Sequence, residues 1–134
     1  MKTLKTTPQY CTGCRLCVLG CAFHHTQAFS EALARMRIRA DEARWDFAPV
    51  VCQQCPDAPC VDACPTGAII RDPATGALHL DENVCAGCRA CEDACRHHAI
   101  VFNEDTGLVQ LCDLCGGSPV CVASCPHGAI EYSE

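Results

Sequence analysis

Cysteine dominates the chemistry available to this chain, supplying sixteen of its 134 residues. The thiols fall into four groups of four with none left over: Cys11, Cys14, Cys17 and Cys21; Cys52, Cys55, Cys60 and Cys64; Cys85, Cys88, Cys91 and Cys95; Cys112, Cys115, Cys121 and Cys125. Groups one and three follow C-x2-C-x2-C-x3-C, while groups two and four widen the middle gap to four and five residues. Such density belongs either to a disulfide scaffold in an oxidising compartment or to metal binding in a reducing one. The opening stretch MKTLKTTPQYC carries two lysines but neither the apolar core nor the paired arginines of an export signal. No apolar run approaches the roughly 20 residues that span a bilayer. The sequence therefore predicts a cytoplasmic chain whose thiols stay reduced and bind metal.

The spacing selects the metal. Three cysteines two residues apart turn their sulfurs toward one centre, and the fourth, past a helical turn, points elsewhere. This C-x2-C-x2-C-x3-C-P run is the ligand pattern of bacterial ferredoxins, in which the fourth thiolate serves the other cluster of a pair. Zinc sites use two C-x2-C pairs separated by a longer loop and do not require three cysteines within seven residues. A zinc-stapled interaction module is accordingly the remote alternative, and four 4Fe-4S clusters are the expected cofactors. Pro65 and Pro126 complete the ferredoxin signature in groups two and four; Ala22 and Arg96 occupy that place in groups one and three.

The elements that position these thiols repeat with them. CPTGAI (64–69), CRHHAI (95–100) and CPHGAI (125–130) place Ala-Ile at one offset from the fourth cysteine. Ile70, Val101–Phe102 and Tyr132 continue those runs as strands. Residues 71–80 and 103–111 read as hairpin returns, with Asp, Pro or Gly at their turns. Helical turns are expected at the x3-C ends. Residues 23–51 lie outside the repeat. There Met36 and Ile38 alternate with Arg35, Arg37 and Arg39, which predicts a strand with one basic face, and residues 44–51 can pair with it. The basic face reads first as a solvated edge that discourages sheet pairing, and otherwise as a docking face.

The predicted fold is α+β: two nested ferredoxin-like units, an inner one over 52–102 and an outer one over 1–22 plus 103–134, with 23–51 as connecting strands. The groups could pair in sequence order or nest. The compact linker between groups two and three favours nesting, because the stretch between groups one and two is irregular. Nesting gives four ligand sets: Cys11, Cys14, Cys17 and Cys125; Cys112, Cys115, Cys121 and Cys21; Cys52, Cys55, Cys60 and Cys95; Cys85, Cys88, Cys91 and Cys64.

Through CTGCRLCVLGC, CQQCPDAPCVDACPTGAI, CAGCRACEDACRHHAI and CDLCGGSPVCVASCPHGAI the chain resembles the four-cluster electron-transfer subunits of the DMSO reductase and formate dehydrogenase type, and their compact relatives beside hydrogenases. The resemblance covers nearly the whole length and itself implies nested pairing. CTGCRLCVLGCAFHHTQAF followed by ALARMRI looks most like the small relay subunit of tungsten-dependent aldehyde oxidoreductases. The resemblance implies a non-catalytic relay, passing single electrons between a catalytic tungsten or molybdenum subunit and a flavin subunit or soluble carrier.

Composition agrees with this and narrows the partners. One Trp, two Tyr and four Phe make a thin core that bound metal can staple. The formal charge of −6 excludes nucleic acid as a natural partner. No catalytic residues are expected. His24, His25, His97, His98 and His127 flank the cysteine runs, but complete thiol sets leave them at the surface or beside the ligands. Asp57, Asp62, Glu92 and Asp93 read as solvated. A free polyferredoxin carrier is the alternative function. A relay needs docking patches at both ends of its row, for which the arginine strand and a bare N-terminus are the candidates, and such chains could also stack into a longer wire.

Overall fold

The computed structural model describes residues 2–133. Along them run β1 (Thr3–Thr6), α1 (Leu16–Thr26), β2 (Arg37–Asp41), β3 (Asp46–Val50), α2 (Pro59–Ala63), β4 (Ile69–Arg71), β5 (Leu78–Leu80), α3 (Ala90–Ala94), β6 (Val101–Asn103), β7 (Leu108–Gln110), α4 (Val120–Ser124) and β8 (Ile130–Ser133). The architecture is α+β. The strands pair two by two into antiparallel ribbons: β1 with β8, β2 with β3, β4 with β5 and β6 with β7. Ribbons this short are not stable alone in water, so the loops and helices that carry the cysteines must hold them in place.

The two hairpins predicted at 71–80 and 103–111 form with Ile69 opposite Leu80 and Val101 opposite Gln110. The connecting segment also folds into the expected pair, with Arg37 opposite Val50 and Asp41 opposite Asp46. Three helices are single turns of five residues ending at the fourth cysteine of their groups. The helix of group one is longer than the spacing suggests, at eleven residues. Proline explains part of the contrast. Pro65 and Pro126 push the preceding cysteine out of the helical region, to ψ 113 at Cys64 and ψ 114 at Cys125. Ala22 imposes no such restriction, so α1 runs on through Cys21. Cys95 leaves its helix without a proline, its N–H shared between the carbonyls of Cys91 and Glu92.

α1 packs on α4, and α2 packs on α3. Gly20 permits the first contact: a Cβ there would lie 2.7 Å from Ser124 Oγ. β1 pairs with β8, from Thr3 opposite Ser133 to Thr6 opposite Ile130, and Leu4 is 1 % exposed. Residues 3–6, at the expected N-terminal docking patch, thus form one strand of a ribbon. Two buried clusters form the core. One gathers Leu4, Val18, Met36, Val51, Leu114 and Ile130; the other gathers Ile69, Leu78, Ile100, Val109 and Leu111. Buried cysteines belong to both clusters, and Cys112 packs against both.

Gln54 ties the loop of group two to its surroundings. Its side chain is 1 % exposed, donates to the Cys112 carbonyl at 2.9 Å and accepts from Leu78 N–H at 2.7 Å. Arg37 and Arg39 of the arginine stripe are exposed, as its pattern suggests, but Arg35 is not. Arg37 donates to the His98 carbonyl, and Arg35, just before β2, turns inward to donate to the Leu111 carbonyl at 3.1 Å. Among the described residues, no helix is long and apolar enough to cross a membrane.

Candidate iron–sulfur centres

All sixteen cysteines are free thiols. Their loops share one backbone device. The residue before the second cysteine of each group is left-handed: Gly13 at φ 74, Gln54 at φ 49, Gly87 at φ 69 and Leu114 at φ 61. Three groups add a second left-handed residue two positions before the third cysteine, at Arg15, Ala58 and Arg89. Alternating backbone hands make a concave nest of N–H groups, which suits an anion such as a thiolate-ligated iron–sulfur cluster.

Further N–H groups point at sulfur. Ala68, Ala99 and Ala129 donate to Cys64, Cys95 and Cys125 at 3.3, 3.4 and 3.4 Å. This is the physical content of the Ala-Ile repeat: the alanine amide four residues on returns to the fourth thiol. Gly67, His98 and Gly128, all with positive φ, make the turn that allows it. Group one lacks the repeat, and its fourth thiol, Cys21, receives the amide of Arg35 instead, at 3.3 Å. Gln54 N–H reaches Cys52 at 3.4 Å, and Leu114 N–H reaches Cys112 at 3.5 Å. These contacts act on the thiols in the metal-free chain. The Thr66 hydrogen bond, with the nearby amides, holds Cys64 down to about 7. Partial burial pushes Cys125 up, but the amides of Ala129, His127, Gly128 and Ile130 outweigh it and leave it below the ordinary thiol value.

The inner thiols shift the other way, chiefly through burial, and smaller pushes between thiols mark which neighbourhoods they share. Burial, reinforced by Cys125, Cys14 and Cys11, pushes Cys17 up to about 11. Burial, reinforced by Cys60, Cys95 and Cys55, pushes Cys52 up to about 11. Cys91 rises to about 11 through burial and then Cys64, Cys60 and Cys85. Cys121 rises to about 12 through burial and then Cys115, Cys21 and Cys17. Burial also raises Cys112, with further pushes from Cys52, Cys121 and Cys21. Two small pockets match two of these neighbourhoods. One is lined by Cys52, Cys55, Cys60 and Cys95 among others, and the other by Cys21, Cys112, Cys115 and Cys121 among others. Cys14 and Cys88 are exposed, on the loops of groups one and three.

Sequence patterns pointed to the thiols but missed three residues around them. Gln54 braces the loop of group two. Arg35 and Asp113 form an ion pair at 3.4 Å beside Cys21 and Cys115. The sequence signal for Arg35 was the period-two stripe, which placed it among the solvated arginines. His24, His97, His98 and His127 are exposed, whereas His25 is partly buried with Nε2 3.7 Å from Cys115 Sγ. Asp57 pairs with Arg96, and Glu92 pairs with Arg89 at 2.7 Å.

Comparison with known proteins agrees with the thiol pattern. Two family profiles, each described as a 4Fe-4S dicluster domain, match residues 43–134 and 10–68. The NADH-dependent phenylglyoxylate dehydrogenase subunit beta of Aromatoleum evansii is 37 % identical over 97 % of this chain, which spans only 30 % of that protein. The aliphatic sulfonate oxidoreductase polyferredoxin-like subunit of Pyrococcus furiosus is 41 % identical, covering 89 % of this chain and 68 % of its own length. The thiosulfate reductase electron transfer subunit PhsB of Salmonella typhi is 35 % identical, with 92 % and 71 % covered. A chain of the active site complex BamBC of benzoyl coenzyme A reductase superposes with a TM-score of 0.60 at 24 % identity, over 99 % of this chain and 75 % of that one. With one profile spanning more than half its length, and a relative 41 % identical that is covered over 68 % of its own length, the chain belongs to the 4Fe-4S dicluster family.

Proposed function

We propose that the chain is an electron-relay subunit that holds four 4Fe-4S clusters in a row and serves a catalytic oxidoreductase partner. The observation that carries this reading is the grouping of the thiols. Each neighbourhood joins cysteines of one group to the fourth cysteine of another: Cys11, Cys14 and Cys17 with Cys125; Cys112, Cys115 and Cys121 with Cys21; Cys52, Cys55 and Cys60 with Cys95; Cys85 and Cys91 with Cys64. This supports the nested ligand sets, with Cys88 completing the last. The packing of α1 on α4 and of α2 on α3 supports the nested units in the same way.

Electrostatic pushes between neighbourhoods support an order: Cys121 is pushed up by Cys17, Cys112 by Cys52, and Cys91 by Cys60. The row then runs from the Cys14 end, through the two sets that line the pockets, to the Cys88 end. Clusters bound there exchange one electron each, at potentials the protein sets by hydrogen bonding, burial and charge. The chain's own part is to ligate, to keep water from the two inner sets and to expose one thiol ligand at either end.

At the Cys14 end, Tyr10 and Trp45 are 58 % and 79 % exposed. The Phe47 ring, tilted against Trp45, lies where a Cβ on Gly13 would come within 2.6 Å. Exposed aromatics beside a ligand loop suit a stable protein interface, so the catalytic subunit is assigned to this end. The relatives' names support an oxidoreductase partner, and the likeness of residues 11–38 to the tungsten aldehyde oxidoreductase relay favours a tungsten or molybdenum enzyme, with a flavin subunit or carrier at the other end.

Anaerobic isolation of the chain from its native cell, with metal analysis, tests this. About sixteen irons per chain, with a stoichiometric partner bearing tungsten or molybdenum, is the expected result. The same iron with no partner at any protein concentration would leave a free carrier in place of a relay subunit. Zinc in place of iron would overturn both.

A further inference from the structure

The four ligand sets do not share one environment. Around Cys21, Cys112, Cys115 and Cys121 three side chains converge that no other set possesses. His25 lies in the last turn of α1, with Nε2 3.7 Å from Cys115 Sγ. Asp113 accepts the Cys115 amide at 2.9 Å and stands 3.9 Å from the same His25 nitrogen. Arg35 pairs with Asp113 at 3.4 Å, donates to the Leu111 carbonyl and gives its own amide to Cys21. His25, Arg35, Cys21, Cys112, Cys115 and Cys121 all line one cavity. The side chains of His25 and Arg35 are 11 % and 25 % exposed, so the Arg35 charge and the His25 dipole act where water screens weakly.

Elsewhere the contrast is plain. Arg96 reaches Cys55, but from a fully exposed position where solvent damps its effect. The Arg35 guanidinium instead lies beside Cys21 and Cys115 while half-buried, and its own backbone amide points at the Cys21 sulfur.

Reduction adds a negative charge to a ligated cluster, so donors and cations beside its thiolates favour the reduced state. We propose that His25 and Arg35 make the set Cys21, Cys112, Cys115 and Cys121 the most easily reduced of the four, so that the first electron to enter the row rests at an interior position. Asp113 is the brace: it orients the Arg35 guanidinium and caps the Cys115 loop. His25 and Arg35 are positioning residues, acting through the thiolates. The inference rests on the ligand sets proposed above.

The test is an anaerobic redox titration of the fully loaded chain, followed by electron paramagnetic resonance, with iron counted for each sample. Wild type should show one step above the other three. His25→Leu and Arg35→Gln should each lower that step alone, by about tenfold in its one-electron equilibrium constant or about 59 mV, with iron unchanged. His25→Gln, which keeps a donor at similar reach, should recover most of the shift. Movement of all four steps together, movement of a different step, or loss of iron without movement would overturn the assignment. A wild-type chain holding no 4Fe-4S signal would instead remove the functional reading beneath it, and this inference with it.

Discussion

At the scale of single residues, a protein that surrounds thiols with amides depends on polar groups that composition does not reveal. Gln54 is the sharpest case. Replacing it with Leu strands the Leu78 amide and the Cys112 carbonyl in the interior. Each unpaired buried group costs about 1–3 kcal/mol, so chemical denaturation of Gln54→Leu should show a loss of about 2–4 kcal/mol relative to wild type. A change below about 0.5 kcal/mol would mean that water replaces the amide at no cost. The thiols of the folded metal-free chain should also separate by reactivity, because only the thiolate is nucleophilic. Cys64, held down to about 7, is half ionised at neutral pH, whereas Cys17, Cys52 and Cys121, pushed up to about 11, 11 and 12, remain neutral until the solution is strongly alkaline. Alkylation at pH 7 mapped by mass spectrometry should therefore mark Cys64 first and leave those three unmodified. Uniform labelling of all sixteen would contradict this. The same shifts give a sign for stability: burial raises these three above the unfolded thiol value, so the stability they lend the metal-free fold is present below pH 9 and fades as pH climbs through 11 to 12.

Elements set which thiols meet. The α1–α4 contact brings together Cys17 and Cys21 with Cys121, and Gly20 leaves room there for the Ser124 and Val120 side chains. Gly20→Leu should push the two helices apart and cost the outer unit its iron, reducing the content from about sixteen to about eight per chain, while α2 and α3 retain theirs. Full retention would mean that the ligand sets do not depend on this packing. Much at this scale was legible in advance. Alternation around Met36 and Ile38 marked β2, Asp-Pro and Asp-Thr-Gly turns marked two hairpins, and the Ala-Ile repeat marked strands β4, β6 and β8. Three features were not. β1 is four residues with no alternating apolar pattern, and it exists because β8 offers it an edge. The length of α1 depended on the absence of a proline, a weak signal by itself. Arg35 shares its period with Arg37 and Arg39, but its direction is decided by Leu111 and Asp113, more than seventy residues away in the chain. Periodicity reports local faces and cannot report such distant partners.

For the molecule as a whole, charge and connectivity matter more than any single contact. Four oxidised clusters, each about −2 with its thiolates, would take the formal −6 to about −14. The surface met by a partner should therefore be basic, and association with it should slow steeply as salt rises. Stopped-flow mixing over a range of ionic strength reads this directly, and a salt-independent rate would point to the aromatic patch alone. The pairing of β1 with β8 carries a consequence for biosynthesis. A strand near residue 3 waits for one near residue 130, whereas β4 to β7 lie close to their partners along the chain. Contacts of high sequence separation form late because loop closure opposes them. As the polypeptide leaves the ribosome, the middle should acquire structure first and the two extremities should be sealed together last. In pulsed hydrogen exchange during refolding, amides of β4 to β7 should gain protection before those of β1 and β8. Assembly would then proceed from the centre outward, with the first clusters held by the middle of the chain.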